Sequence, residues 1–117
     1  MLELSKSQKK IARELIQLGL HRECKSFTKE IAEFTNSLEW ELENPHELYL
    51  KLYKKVTSFD KRIARRYDNV TGSHYFTTVF GLFQDGVLTT EDIARFDIEI
   101  QNELLRIKKL YCQGENK

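Results

Sequence analysis

Three histidines and two cysteines are the residues of this chain best suited to bind a metal or attack an electrophile. His21 and Cys24 stand three apart, so on a helix they face one way and could share a metal. Zinc takes three or four protein ligands, and His46, His74 and Cys112 show no spacing that supplies the rest. Glu43 and His46 have the Glu-x-x-His spacing of a di-iron bundle, but Pro45 breaks the helix such a pair needs. Cys24 lies on an apolar helical stripe, where a thiol is more often inert than activated. No Gly-rich phosphate loop is present, because Gly81 and Gly86 are isolated and stand beside aromatics. Neither a metal nor a cofactor is expected.

The stretch from Asp85 to Asp92 resembles the second half of a calcium-binding EF-hand loop. Aligning Gly86 with that loop's glycine puts Gly81 and Phe83 at the first two ligand positions, and neither side chain binds calcium. A turn followed by a helix cap is the better reading. Small helical ribonucleases carry Arg-x4-6-His. Here Arg13 and His21, and again Arg66 and His74, are separated by seven residues, so the pattern is missed. His74 with Arg65, Arg66 and Asp68 is a polar cluster beside a Thr-Gly-Ser turn. Its expected role is to hold that turn, and a small nuclease-like enzyme centred on Arg66 and His74 is the weakest functional reading.

Charge is balanced overall, at +1, but unevenly spread. Residues 1–29 carry a net +4, 30–47 a net −6 with no Lys or Arg, 48–66 a net +6, and 67–117 a net −3. In a helical hairpin about Pro45, Glu39, Glu41 and Glu43 would lie near Lys51, Lys54 and Lys55, with Lys6, Lys9 and Lys10 on a preceding helix facing the same acids. Exposed pairs of this kind contribute about 0–1 kcal/mol each, so they select topology more than they stabilise it. At the far end, Lys61, Arg62, Arg65 and Arg66 have no evident acidic partner. They form a candidate nucleic-acid surface.

The elements that must position these groups are helices. One proline and five glycines in 117 residues leave few breakers, and 40% hydrophobic content supports a core. Ser5 or Ser7 can cap a first helix bearing Ile11, Leu15 and Leu18, with Gly19 ending or bending it. Cys24, Phe27, Ile31, Phe34, Leu38 and Leu42 draw an apolar stripe on a second helix, from about 21 to 43. Asn44-Pro45-His46-Glu47 is the strongest local signal: a capping side chain, a proline at the first helical position and an acid at the positive end of the dipole. A third helix follows, continuous to about Asn69 or broken near Ser58. Ser73 caps a short fourth helix, apolar almost all round and therefore buried. Asp85-Gly86 turns the chain, and the Thr89–Asp92 segment caps a last helix carrying Ile93, Phe96, Ile100, Leu104, Ile107 and Tyr111. Phe34, Leu52, Phe59, Phe80 and Ile100 are the expected core, and Cys24 and Cys112 are expected to be small buried hydrophobes.

The fold expected is all-α: a single antiparallel bundle of four or five helices over residues 1–117, with about the last six residues frayed. Four apolar residues fall off the main stripes. Trp40 and Leu50 sit on the polar sides of the second and third helices, and Ile98 and Leu105, with Ala94 and Cys112, form a second line on the last. They are candidate partner-binding residues. The residues point to a non-catalytic protein-interaction or regulatory module that binds a protein partner or, as a homodimer, a second copy of itself. A nucleic-acid-binding domain using Lys61, Arg62, Arg65 and Arg66 is the alternative. No export signal and no membrane span stand out, so the expected location is the cytoplasm.

Overall fold

The computed structural model describes residues 3–115. Among them are five α-helices and one 3-10 turn, and no strand: α1 Lys6–Asn36, α2 Pro45–Tyr67, the 3-10 turn Gly72–His74, α3 Tyr75–Gln84, α4 Thr90–Ile93 and α5 Ile98–Glu115. The chain divides into two compact units. Residues 3–19 and 69–115 make a core unit, and Leu20–Asp68 makes a hairpin unit. α1 supplies its first part to one and its second part to the other.

In the core unit, Ser5 starts α1 by accepting the Gln8 N–H on its hydroxyl, 3.3 Å, and the Lys9 N–H on its carbonyl, 2.8 Å. Ala12, Leu15, Ile16 and Gly19 then bury one face at the i, i+3, i+4, i+7 spacing. Gly19 does not break the helix, which corrects the expectation of two helices there. Lys6, Lys9 and Lys10 therefore lie on the helix that leads to Glu39, Glu41 and Glu43, not on a separate helix running antiparallel to it. α3 buries Phe76, Val79, Leu82 and Phe83, as its all-round apolarity predicts. It closes through Gly86, whose φ of 78° is left-handed. The Gly86 N–H donates to the Phe83 carbonyl at 3.2 Å and the Val87 N–H to the Leu82 carbonyl at 2.9 Å, the paired bonds of a Schellman stop.

Thr89 and Asp92 exchange hydrogen bonds in a capping box. The helix they start is one turn long. α5 begins afresh at Ile98, with Asp97 accepting the Ile100 N–H at 3.2 Å. The last helix is thus two elements, not one. The Gln101 side chain donates to the Phe96 carbonyl at 2.7 Å, and the Gln8 side chain accepts the Asp97 N–H at 3.0 Å. Lys108 donates to the Phe83 carbonyl at 3.3 Å and lies over that residue's ring, joining α5 to α3. α5 continues through Cys112 to Glu115, residues expected to fray; Asn116 and Lys117 lie outside the described residues. Ser73 falls inside the 3-10 turn rather than capping α3, and Thr71 and Ser73 share hydrogen bonds with His74 Nδ1.

The hairpin unit is held differently. α1 ends at Asn36, seven residues before the expected stop at Glu43. Thr35 donates its hydroxyl to the Ala32 carbonyl at 3.0 Å and Ser37 to the Phe34 carbonyl at 2.9 Å. The Ser37 hydroxyl thereby satisfies a carbonyl that the last turn leaves unpaired, while Thr35 makes the same kind of back-bond as Thr28 and Thr57, which lie inside unbroken helices. Residues 37–44 connect to α2. Asn44 caps it as expected, its Oδ1 accepting the His46 N–H at 3.0 Å and the Glu47 N–H at 3.1 Å. α2 runs unbroken past Ser58 to Tyr67.

Of the fourteen buried apolar residues among those described, thirteen belong to the core unit; the exception is Leu48, at 9% exposure. Ile100 is buried as expected, whereas Phe34, Leu52, Phe59 and Phe80 are half-buried. The first three of these lie on the seam of a two-helix unit in which no third layer covers them, and Phe80 meets Tyr111 at the edge of α3, the rings tilted by 38° with 5.6 Å between centroids. Cys24 and Cys112 are free and exposed, not buried.

Candidate functional site

Contacts along the hairpin run in opposite directions on its two helices. Glu23 meets Arg66 and Tyr67, Phe27 meets Phe59, and Glu30 and Phe34 meet Lys55, so α2 returns antiparallel along α1. At the open end of this register, away from the connection at residues 37–44, lies an ionic lock. Arg66 Nη1 donates to one oxygen of Glu23 at 2.7 Å, and the Tyr67 hydroxyl donates to the other at 2.6 Å. The Glu23 side chain is 12% exposed. Burial, and then the Glu23 carboxylate that accepts its proton, hold the Tyr67 phenol above the ordinary tyrosine range. Arg66 was expected to lack an acidic partner; Glu23 is that partner, reached across 43 residues of sequence.

Above the lock, the Phe27 and Phe59 rings stack at 4.1 Å with planes 5° apart. Beside them opens a groove of about 580 Å³, floored by Phe27, Phe34 and Phe59 and rimmed by Lys51, Lys54, Lys55 and Arg62. Lys55 rides over Phe34 and Arg62 over Phe59. The groove has one carboxylate, Glu30, which stands 4.0 Å from Lys55. The expected pairing of Glu39, Glu41 and Glu43 with Lys51, Lys54 and Lys55 is not made. Among the described residues Lys51 and Lys54 form no ion pair, and neither do the three glutamates.

The connection at the hairpin tip reads Leu38-Glu39-Trp40-Glu41-Leu42-Glu43. Trp40 is 65% exposed and Leu42 79%. Both were placed on a helix by sequence, Trp40 on its polar side and Leu42 on its stripe, but neither is on one. Leu50 is exposed on α2, as are Val56, which its spacing sets on that helix's apolar face, and the flanking Tyr49 and Tyr53. Helical geometry sets Tyr49, Tyr53 and Val56 about half a turn around α2 from Lys51, Lys55 and Arg62. A two-residue alternation of acid and apolar side chains over 38–43 is the signal that marks the tip as non-helical.

Ile98 and Leu105 are exposed on α5 of the core unit, with Cys112 one heptad on. Ala94 is exposed outside that helix, so the second apolar line is not buried. Lys61, Arg62 and Arg65 are exposed on α2, and Arg66 is turned to Glu23. No group of three or more His, Cys, Asp or Glu that could hold a metal is found among the described residues. No described helix is long and apolar enough to cross a membrane. Comparison with protein-family models, with curated proteins and with solved structures finds no match to this chain.

Proposed function

We propose that this chain is a non-catalytic interaction module and that its hairpin is the docking element. One observation carries this: the hairpin buries a single apolar side chain, yet lays out a phenylalanine-floored groove and six exposed large apolar residues, Trp40, Leu42, Tyr49, Leu50, Tyr53 and Val56. Concentrated apolar exposure of this kind marks interaction sites in soluble proteins. In this reading the hairpin becomes part of a helical bundle when an occupant adds its own helices, and the two free, exposed thiols suit a reducing, cytoplasmic compartment.

The test is site-specific photo-crosslinking in cells that make the protein, with the probe at Leu42 or Tyr53 and, as control, at exposed Asn102 of α5. Discrete adducts from the hairpin positions and none from Asn102 are expected. Absence of adducts from both hairpin positions would overturn the reading.

The unpaired cations of α2 favour one alternative, a nucleic-acid surface made by Lys61, Arg62 and Arg65, with Arg66 held back by Glu23. Such a surface would bind with a dissociation constant on the order of 10⁻⁴–10⁻⁶ M and a steep dependence on salt. Titration of labelled RNA and DNA at two salt concentrations, against Arg62→Ala/Arg65→Ala, decides it.

A further inference from the structure

We infer that the groove is filled by the acidic tip of a second copy of this chain, the two hairpins pairing antiparallel about a two-fold axis. The inference rests on the interaction reading above and names its partner.

The groove needs an occupant that brings apolar side chains to Phe27, Phe34 and Phe59 and carboxylates to Lys51, Lys54 and Arg62. Residues 38–43 carry both kinds in alternation: Leu38, Trp40 and Leu42 between Glu39, Glu41 and Glu43. Their carboxylates form no ion pair within the chain, and Trp40 and Leu42 are exposed. No tip residue lines the groove of its own hairpin.

Tip and groove therefore form an unsatisfied acid–base pair on one element. They are offset along it, since the groove lining on α1 runs from about 14 Å (Phe27) to about 3 Å (Phe34) of helix rise before Asn36. A surface with two complementary patches offset on one rod is self-complementary under a two-fold rotation. Each tip then reaches the other copy's groove, and both are satisfied together. A head-to-tail arrangement would leave one tip and one groove open at its ends. The paired product has four helices, the number that closes a bundle core. Charge fixes the antiparallel register, because parallel pairing would set tip against tip and cation against cation.

The experiment is mass measurement by light scattering at about 1 and about 100 µM, a range that brackets micromolar association. It uses the wild type, a tip variant Glu39→Lys/Glu41→Lys and a groove variant Lys51→Glu/Lys54→Glu, with circular dichroism as the check on helix content. The wild type is expected to be dimeric at the higher concentration. Each variant alone meets like charge and should dissociate at least about tenfold more readily. Mixed one to one, the variants restore opposite charges at both contacts and should recover a dimer. A monomeric wild type, variants that dimerise as well as it does, or a mixture that stays monomeric would each overturn the inference. If it fails while the hairpin crosslinks to a species of another mass, the interaction reading survives and the partner is a different protein. If the crosslinks fail too, both fall.

Discussion

The core unit and the hairpin unit are built from similar helices and held by different forces. In the core unit, short elements are stopped and started by caps: Ser5, the Gly86 stop, the Thr89–Asp92 box and Asp97. They converge on Leu15, Leu82, Phe83, Leu88, Ile93 and Leu104, all at most 1% exposed. The hairpin has longer helices and almost no interior. A carboxylate shared by an arginine and a tyrosine, one stacked phenylalanine pair and one cation–ring contact, Lys55 over Phe34, span its seam. A region that buries its apolar side chains spends them on itself, whereas a region that leaves them half-covered keeps them for another molecule.

The largest expected effect breaks the core unit. Phe83→Ala should cost about 3–5 kcal/mol, as truncation of a fully buried phenylalanine does. Phe59→Ala in the hairpin should cost about 1 kcal/mol, the middle of the range for point changes. Chemical denaturation measures both, and equal losses would erase the distinction between the units. Next in size is the lock. Glu23→Gln removes a charge that accepts two hydrogen bonds, each in the class that contributes about 1.5–3 kcal/mol. Hydrogen exchange should report faster opening at residues 20–68 and unchanged protection of α3 and α5. Uniform acceleration would show that the units open together.

Smaller still is the cap. Asn44→Ala should cost about 0.5–2 kcal/mol, felt in the first turn of α2.

The last effect vanishes at neutral pH. Tyr67 ionises later in the folded chain than when unfolded, so above a pH of about 10 the unfolded chain gives up that proton first. The unfolded state then binds fewer protons, and stability falls as pH rises through the folded value. One of the five tyrosines should show delayed phenolate absorbance, and Tyr67→Phe should remove the delay. Simultaneous ionisation of all five would place Tyr67 in water.

Much of the local structure was legible from residue chemistry. Asn44-Pro45, Asp85-Gly86 and Thr89–Asp92 each specify backbone geometry within four residues, and the structure places a cap or turn at each. The buried fate of α3 was also readable, because a helix with no polar face has nowhere else to go. Two boundaries were not. Gly19 allows a break but does not compel one when its neighbours are buried. α1 ends at Asn36, with the Ser37 hydroxyl on the Phe34 carbonyl, at a boundary that periodicity does not register. The expected core erred at Phe34, Leu52 and Phe59 for a physical reason: spacing shows which side of a helix is apolar, not whether another layer covers it. The candidate surface was half legible. Trp40 and Leu50 stood out as apolar residues in polar company, but the groove depends on a pairing register that brings Phe27 to Phe59, and no local pattern encodes that.

The hairpin occupies one unbroken stretch of chain, whereas the core unit is assembled from two stretches on either side of it. During synthesis this sets an order. Once Asp68 has left the ribosome, every residue of the hairpin exists and its lock can close. Ala12, Leu15 and Ile16 must wait for Phe76 through Leu104, about 2–7 seconds further on at ordinary elongation rates. The bond from Arg95 to Glu14 spans 81 residues and that from Asp97 to Gln8 spans 89. For those seconds the nascent chain displays an apolar stripe at residues 12–19, so a chaperone that recognises such stripes would find its binding site there, and would lose it when α5 docks.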